Sequence, residues 1–310
     1  MIVHQGYENL HFKNPVVTLG IFDGVHLGHK VLISRLIDTA VKLKGESVII
    51  TFFPHPRIVL SENKFSLSFL TNIDEKIELL EEIGVDHLII IPFDHDLSNK
   101  EACQFIDEVL VRKIGTKCLV AGFNNLFGRK GDTDFDTIRK CAESFNIKVE
   151  HVDALVTDKG IVSSTLIRDS LLRGEIEEAN GMLGYNYFMN GTIVEGKRLG
   201  RELGFPTANI DPDSKNKLIP KDGVYAVEVI IDGAGYFGMM NIGSNPTVND
   251  NPSNRTLEVN IFDFDRQIYH SKIQIVFRRR LRNEIKFSNI TLLVEQLELD
   301  KKMALQFLKK

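Results

Sequence analysis

Between residues 16 and 152 the chain repeats one alternation, a short run of branched apolar residues followed by a longer stretch with apolar positions at helical spacing. The apolar runs are 16–22, 47–53, 87–92, 118–121 and 148–152, and the helical stretches are 28–44, 74–83, 100–113 and 133–145. Val- and Ile-rich runs without polar alternation belong to strands covered on both faces, the usual condition of a parallel sheet. The alternation predicts a doubly wound α/β domain that binds ligands at the carboxyl ends of its strands. Residues 166–183 read as one or two closing helices, with Gly184 as the stop.

From Tyr187 the pattern changes. Segments 191–195, 224–231, 236–242, 257–264 and 268–277 follow one another with Gly, Asn-Pro and Asp-Gly turns and no helix between them. Consecutive strands predict an antiparallel β-barrel or sandwich, and residues 292–308 an amphipathic helix packed across it. A chain of 310 residues is long for one core, since domains usually run ~100–200 residues. Two domains are expected: 1–184, a doubly wound parallel-sheet domain, and 185–310, a small antiparallel β-barrel with a C-terminal helix.

Composition excludes several classes. With 43% hydrophobic and 26% charged residues the chain is an ordinary globular one. A net charge of −4 gives no general attraction to nucleic acid or anionic lipid, and the run Arg278-Arg279-Arg280 with Arg282 reads as a solvated strand end. The three cysteines, Cys103, Cys118 and Cys141, are widely spaced, so neither a disulfide framework nor a zinc site is indicated. No apolar run reaches the ~18 residues of a membrane span, and the first ten residues are unlike a signal peptide. A cytoplasmic place, with no nucleic-acid or membrane partner, is the expectation.

Each half carries a chemical string of its own. In Gly20-Ile21-Phe22-Asp23-Gly24-Val25-His26-Leu27-Gly28-His29 a strand end delivers Asp23-Gly24 into a helix start. Gly24 and Gly28 let the backbone approach an anion, the helix N-terminus presents free N–H groups, and His26 and His29 can donate to phosphate oxygens. A bare His-x-x-His is more often a tight turn with two surface histidines. The full string, however, resembles the signature of the HxGH nucleotidyltransferases. The resemblance implies attack on the α-phosphorus of ATP with loss of pyrophosphate, with Gly20, Phe22, Asp23, Gly24 and Gly28 around the ATP. Ser163-Ser164-Thr165-Leu166-Ile167-Arg168 resembles the ISSTxIR signature of the same superfamily, in which the hydroxyls cap a helix and Arg168 reaches the β- and γ-phosphates. Thr51-Phe52-Phe53-Pro54-His55-Pro56 resembles the flavin adenylyltransferase branch; Phe53, Pro54, His55, Pro56 and, further on, Asn124 are the implied flavin contacts.

In the second half, Gly200-Arg201-Glu202-Leu203-Gly204-Phe205-Pro206-Thr207-Ala208-Asn209 precedes Gly223-Val224-Tyr225, Asn241-Ile242-Gly243-Ser244-Asn245-Pro246-Thr247 and Glu258. Gly200 and Gly204 allow close approach to phosphates, Thr207 and Asn209 offer oxygens to a hard cation such as Mg²⁺, and Glu258 is placed as general base. Taken singly, Glu258 would be one surface acid among many. Together the strings resemble riboflavin kinase, and the whole chain is similar to the prokaryotic bifunctional riboflavin kinase/FAD synthetases. The resemblance implies that the barrel phosphorylates riboflavin at its ribityl 5′-hydroxyl to FMN. The first domain would then adenylylate FMN to FAD, both steps using ATP and Mg²⁺, with flavoproteins as recipients of the FAD.

Two positions depart from that family's pattern. In Gly122-Phe123-Asn124-Asn125-Leu126-Phe127-Gly128, Leu126 stands where the family has Arg or Thr, and Ile268-Tyr269-His270 replaces a strand end of Leu-Tyr-Gly. Two other readings therefore stay open: a riboflavin kinase with a weakened adenylyltransferase half, and a flavin-binding regulator without turnover. The oligomeric state is not specified.

Overall fold

The computed structural model describes residues 1–61, 67–123, 134–196, 200, 203–244 and 255–309. Contacts divide the chain into two compact units, Met1–Ser164 and Thr165–Lys310.

In the first unit β1 (Ile2–Gln5), β2 (Val16–Leu19), β3 (Ser47–Phe53), β4 (His87–Pro92), β5 (Cys118–Gly122) and β6 (Lys148–Val152) form one sheet in the order β1-β4-β3-β2-β5-β6. Every pairing in it is parallel. Val16, Val17, Val48, Ile49 and Ile50 are fully buried, as strands covered by helices on both faces require. The order reverses between β2 and β5, so a switch-point crevice lies beyond the carboxyl ends of these two strands. The two-residue strands β7 (Val156–Thr157) and β8 (Gly160–Ile161) pair as a hairpin.

Four features of this unit differ from the sequence pattern. Strand β1 is short, and its Ile2 and Val3 are 57% and 37% exposed, so it leaves no buried apolar run to read. The first run ends at Leu19 rather than Phe22. Beyond it Phe22 and Val25 take φ of +51° and +36°, left-handed values foreign to a strand, while both side chains drop into the core. The stretch expected as one helix over 100–113 is α-helical at Ala102–Phe105 and then π-helical over Ile106–Ile114, where Arg112 bonds Asp107 five residues back at 3.0 and 2.6 Å. Cys103 and Cys141, for which no pairing is expected from sequence, are joined as a disulfide with Cα atoms 5.6 Å apart. Packing of Ala102–Phe105 against the helix Phe135–Ser144 brings them together.

In the second unit β9 (Phe188–Val194), β10 (Ala208–Pro212), β11 (Gly223–Ile231), β12 (Ala234–Ser244), β13 (Arg255–Ile261) and β14 (Lys272–Arg282) close into a barrel in the order β10-β13-β12-β11-β14-β9. All its pairings are antiparallel. Strand β10 has no counterpart in the sequence pattern because it is hidden in the Gly- and Asn-bearing string. The last strand begins at Lys272 instead of 268, since His270 turns the chain at φ +64°. Residues 166–183 fall into two helices, Ser164–Arg173 and Ile176–Leu183, the second ended by Gly184 at φ +71°. Within this unit Asn180 donates to the Phe277 carbonyl at 3.0 Å, and Lys221 N donates to the Leu171 carbonyl at 3.0 Å. The two helices are thus fastened to the barrel.

The arginine run is a solvated strand end only in part: Arg278 and Arg279 are exposed, whereas Arg280 and Arg282 are drawn into the fold. Arg279 pairs with Glu177 at 3.0 Å, Arg280 donates to the Asp222 carbonyl at 2.6 Å, and Arg278 lies 3.4 Å from Glu228. Arg282 clasps Asp300 of the C-terminal helix Ile290–Leu308 through contacts of 2.6 to 3.0 Å, and the Asp300 side chain is fully buried. The helix lies on β11, β12 and β14, with Ala304 and Leu308 packed among Phe205, Met239 and Phe262. Removing one partner of a buried pair strands the other charge, so Asp300→Ala should destabilise the barrel unit by about 3–5 kcal/mol. The double variant Arg282→Met/Asp300→Leu should recover most of it, as read by chemical denaturation. A melt of Asp300→Ala equal to wild type would show that the pair does not hold the helix.

Candidate active sites

The first site grows from the turn after β2. Gly20 N donates to the Ile50 carbonyl at 3.0 Å, and a Cβ on Gly20 would meet the Phe22 ring at 2.9 Å. Phe22 and Val25 anchor the turn from inside, and Gly24 supplies φ +83°. Asp23, only 4% exposed, points away from solvent. Its Oδ1 accepts from Leu70 N at 2.9 Å, Thr71 N at 3.1 Å and the Thr71 hydroxyl at 3.5 Å, while Gly24 N donates to Thr71 Oγ1 at 3.1 Å. The carboxylate placed beside ATP by sequence thus latches the turn to a second segment.

His26 caps the helix Leu27–Lys42, its Nδ1 accepting from His29 N at 3.3 Å. The two imidazoles stack with centroids 3.6 Å apart, and Phe22 meets His29 edge-on at 5.1 Å. A Cβ on Gly28 would stand 3.2 Å from the His26 ring, so this glycine makes room for an imidazole as well as for any anion. Burial, with His26 and Lys76 beside it, holds His29 well below the usual histidine range. It is a neutral ring at pH 7, and its buried Nδ1 has no partner among the described residues.

Lys76 and Thr71 escape the sequence reading. Lys76 is 6% exposed on the helix Ile73–Ile83, whose inner face carries Glu75, Lys76, Leu79 and Leu80. A lysine at an apolar-face position was the available signal. Burial lowers its ammonium to about 8, opposed by the Asp23 carboxylate.

Ser164 donates from Oγ to the Asp23 carbonyl at 2.9 Å, joining the second string to the first, and Ser163 precedes it half-buried. The division between units falls after Ser164; in the second unit Arg168 donates to Thr165 Oγ1 at 3.3 Å. At the carboxyl end of β3, Phe53 is 50% exposed. Beyond Pro54, His55 caps the helix Pro56–Leu60 and stacks on Phe69 with centroids 4.2 Å apart. Asn124 and the departures Asn125 and Leu126 lie outside the described residues.

The second site lies on the barrel wall. Asn209 of β10 stands opposite Glu258 of β13, which in turn faces Asn241 of β12. Thr207 donates from its hydroxyl to Glu258 Oε2 at 3.4 Å. A Cβ on Gly196 would collide with the Asn209 amide at 1.9 Å, so that side chain lies across the glycine. Gly200 accepts from Leu203 N and Phe205 N at 3.2 and 2.9 Å, and Gly204 turns the loop at φ +80°. Asn260, which the sequence reading passed over, donates to the Pro206 carbonyl at 2.7 Å and fixes the loop before Thr207. No cluster of three or more His, Cys, Asp or Glu ligands occurs among the described residues. Thr207, Asn209 and Glu258 bring hard oxygen donors together, which suits Mg²⁺ sharing its shell with water and phosphate.

Residues 9–166 match a family model described as FAD synthetase, and residues 183–308 one described as riboflavin kinase. A bifunctional riboflavin kinase/FMN adenylyltransferase of Listeria monocytogenes is 38% identical, covering 93% of this chain and 90% of its own length. Proteins of the same name from Bacillus subtilis and Escherichia coli K12 are 35% and 32% identical, each over 94% of this chain and 92% of their own length. A crystal structure from Streptococcus pneumoniae, bearing the name macrolide-efflux protein, matches with a TM-score of 0.89 at 31% identity, over 98% of this chain and 99% of its own. Here no helix among the described residues is long and apolar enough to cross a membrane.

The latch is open to test without any activity. Asp23→Ala leaves Leu70 N and Thr71 N buried without their acceptor, at about 1–3 kcal/mol each. The melting temperature should fall clearly, and much less for Asp23→Asn, which keeps an acceptor oxygen. Equal melting of the alanine variant and the wild type would reduce Asp23 to a bystander.

Proposed function

The chain belongs to the bifunctional riboflavin kinase/FMN adenylyltransferase family, and from that premise we propose how its two reactions divide between its two sites. It phosphorylates riboflavin to FMN and adenylylates FMN to FAD, releasing pyrophosphate. We assign adenylyl transfer to residues 1–184 and the kinase to 185–310. This functional border lies later than the division of contacts because the helices Ser164–Arg173 and Ile176–Leu183 are packed with the barrel.

The chemistry asks different things of the two sites. The ribityl 5′-hydroxyl is an alcohol and must lose a proton to attack phosphorus, so that reaction needs a base. Glu258 is the base, held by Thr207 and set opposite Asn209; this arrangement is the observation that carries the assignment. The FMN phosphate is already an anion and needs none. In the first site the carboxylate of Asp23 is turned to backbone N–H groups, and the groups that remain are donors: two stacked imidazoles and a helix N-terminus. Such a set stabilises charge on phosphates as it develops. Ser163 and Ser164 complete the ATP contacts of this unit, Thr165 and Arg168 keep the ATP role that the sequence string implies for them, and Phe53 with the His55–Phe69 stack offers aromatic faces to the isoalloxazine. Thr207 and Asn209 would hold Mg²⁺, which supplies charge neutralisation to ATP in the kinase reaction. We place the enzyme in the cytoplasm, where ATP is abundant, with flavoproteins receiving its FAD.

Chromatography of products from riboflavin, ATP and Mg²⁺ tests the division. Glu258→Gln should lose FMN formation, by ~10²–10⁴-fold for a positioned base, yet still convert supplied FMN to FAD. His29→Ala should accumulate FMN while FAD formation drops ~10²–10³-fold. Both activities falling together in either folded variant would refute the two-site assignment.

A further inference from the structure

We propose that Lys76 is a catalytic residue of adenylyl transfer, its ammonium engaging the ATP phosphates and the departing pyrophosphate; the proposal rests on the assignment of that reaction to the turn containing His26 and His29. Lys76 is 6% exposed, and among the described residues its ammonium makes no ion pair or hydrogen bond. The Asp23 carboxylate acts on it, and it in turn helps to depress the protonation of His29. A buried ammonium without a partner costs stability, and of the two charged groups buried on this helix face Glu75 has its own partner in Asn72 N while Lys76 has none among the described residues. The cost is intelligible if a ligand supplies the missing counter-charge.

The surrounding groups define that ligand as a polyphosphate. Asp23 is engaged by Leu70 N, Thr71 N and the Thr71 hydroxyl, and so does not release Lys76 from its need for an anion. His29 is neutral, because burial and its neighbours depress its protonation. A neutral imidazole donates one hydrogen bond and contributes no charge. In the reaction an FMN phosphate oxygen bonds to the α-phosphorus of ATP. The bond from that phosphorus to the α,β-bridging oxygen breaks, and its electron pair leaves on pyrophosphate. No proton has to move. What the step demands is a cation near the leaving group, and Lys76 is held beside His29 where the helix Leu27–Lys42 begins.

The backbone carrying Lys76 is positioned by the same latch. Asp23 grips Leu70 and Thr71, and the Asn72–Glu75 capping box starts the lysine's helix immediately afterwards. Burial lowers the ammonium to about 8, so it remains mostly charged at pH 7 and is discharged within the mildly alkaline range.

The test uses the full chain, assayed separately for FMN to FAD and for riboflavin to FMN. Lys76→Met should cut kcat for FAD formation ~10²–10³-fold and leave riboflavin phosphorylation unchanged. Its melting temperature at pH 7 should equal or exceed that of the wild type, since a buried charge is gone; a merely structural lysine would lower it. In the wild type, kcat/KM for ATP in FAD formation, which reports the free enzyme, should decline as pH rises through about 8, while active Lys76→Arg should lose this decline. Should Lys76→Met fail to fold, the alkaline profile of wild type and of Lys76→Arg decides. Near-normal FAD formation by folded Lys76→Met, or a wild-type kcat/KM for ATP flat through the alkaline range, overturns the proposal. If His29→Ala abolishes FAD synthesis and Lys76→Met does not, only Lys76 is misassigned; if neither matters, the site assignment itself is wrong.

Discussion

The carboxylate of Asp23 holds the first site together. A parallel strand that ends at Leu19 must turn sharply to start a helix at Leu27, and it does so with Phe22 and Val25 in left-handed backbone conformations. Non-glycine residues held there cost of order 1–3 kcal/mol each and persist only where the surroundings over-determine them. Two things over-determine this turn: the burial of both side chains, and the bonds from Asp23 and Gly24 to the Leu70–Thr71 segment. The stack of His26 on His29, the room left by Gly28 and the place of Lys76 follow from that turn.

The barrel solves the same problem by register. Side chains on a strand alternate between faces, so pairing Asn209 with Glu258, and Glu258 with Asn241, puts all three on one face with no strained residue among them. The loop before β10 turns at Gly204, and Asn260 fixes it from the neighbouring strand. One site is made by a bent loop on a rigid sheet, the other by the sheet itself.

The first site contains groups that a purely stable protein would avoid. His29 Nδ1 is buried without a partner among the described residues, and Lys76 is a buried cation on the inner face of its helix. Departures from local rules of this kind are expected at functional positions, and under the proposed function the missing partner is the ATP phosphates. Elsewhere the polar interior is matched: Asp300 receives a bidentate arginine and Gln296, and the Tyr187 hydroxyl donates to the Leu218 carbonyl at 2.7 Å.

Much of this was legible beforehand. The runs 47–53, 87–92 and 148–152 coincide with β3, β4 and β6, because a buried parallel strand writes its apolar residues consecutively. The spacings of Gly, His, Thr and Asn singled out His26 with His29, and Thr207 with Asn209 and Glu258, and the fold brings each of these sets together. By itself, then, the sequence determined the order of an α/β domain and a barrel and the two reactions, since periodicity and motif are local properties of the chain. Only the tertiary structure decided that Asp23 serves the backbone at Leu70 and Thr71, that Lys76 stands beside His29, that Cys103 meets Cys141, and that the arginine run clasps Asp300. Each is a contact between segments far apart along the chain, and separation in sequence says nothing about which surfaces packing will bring together.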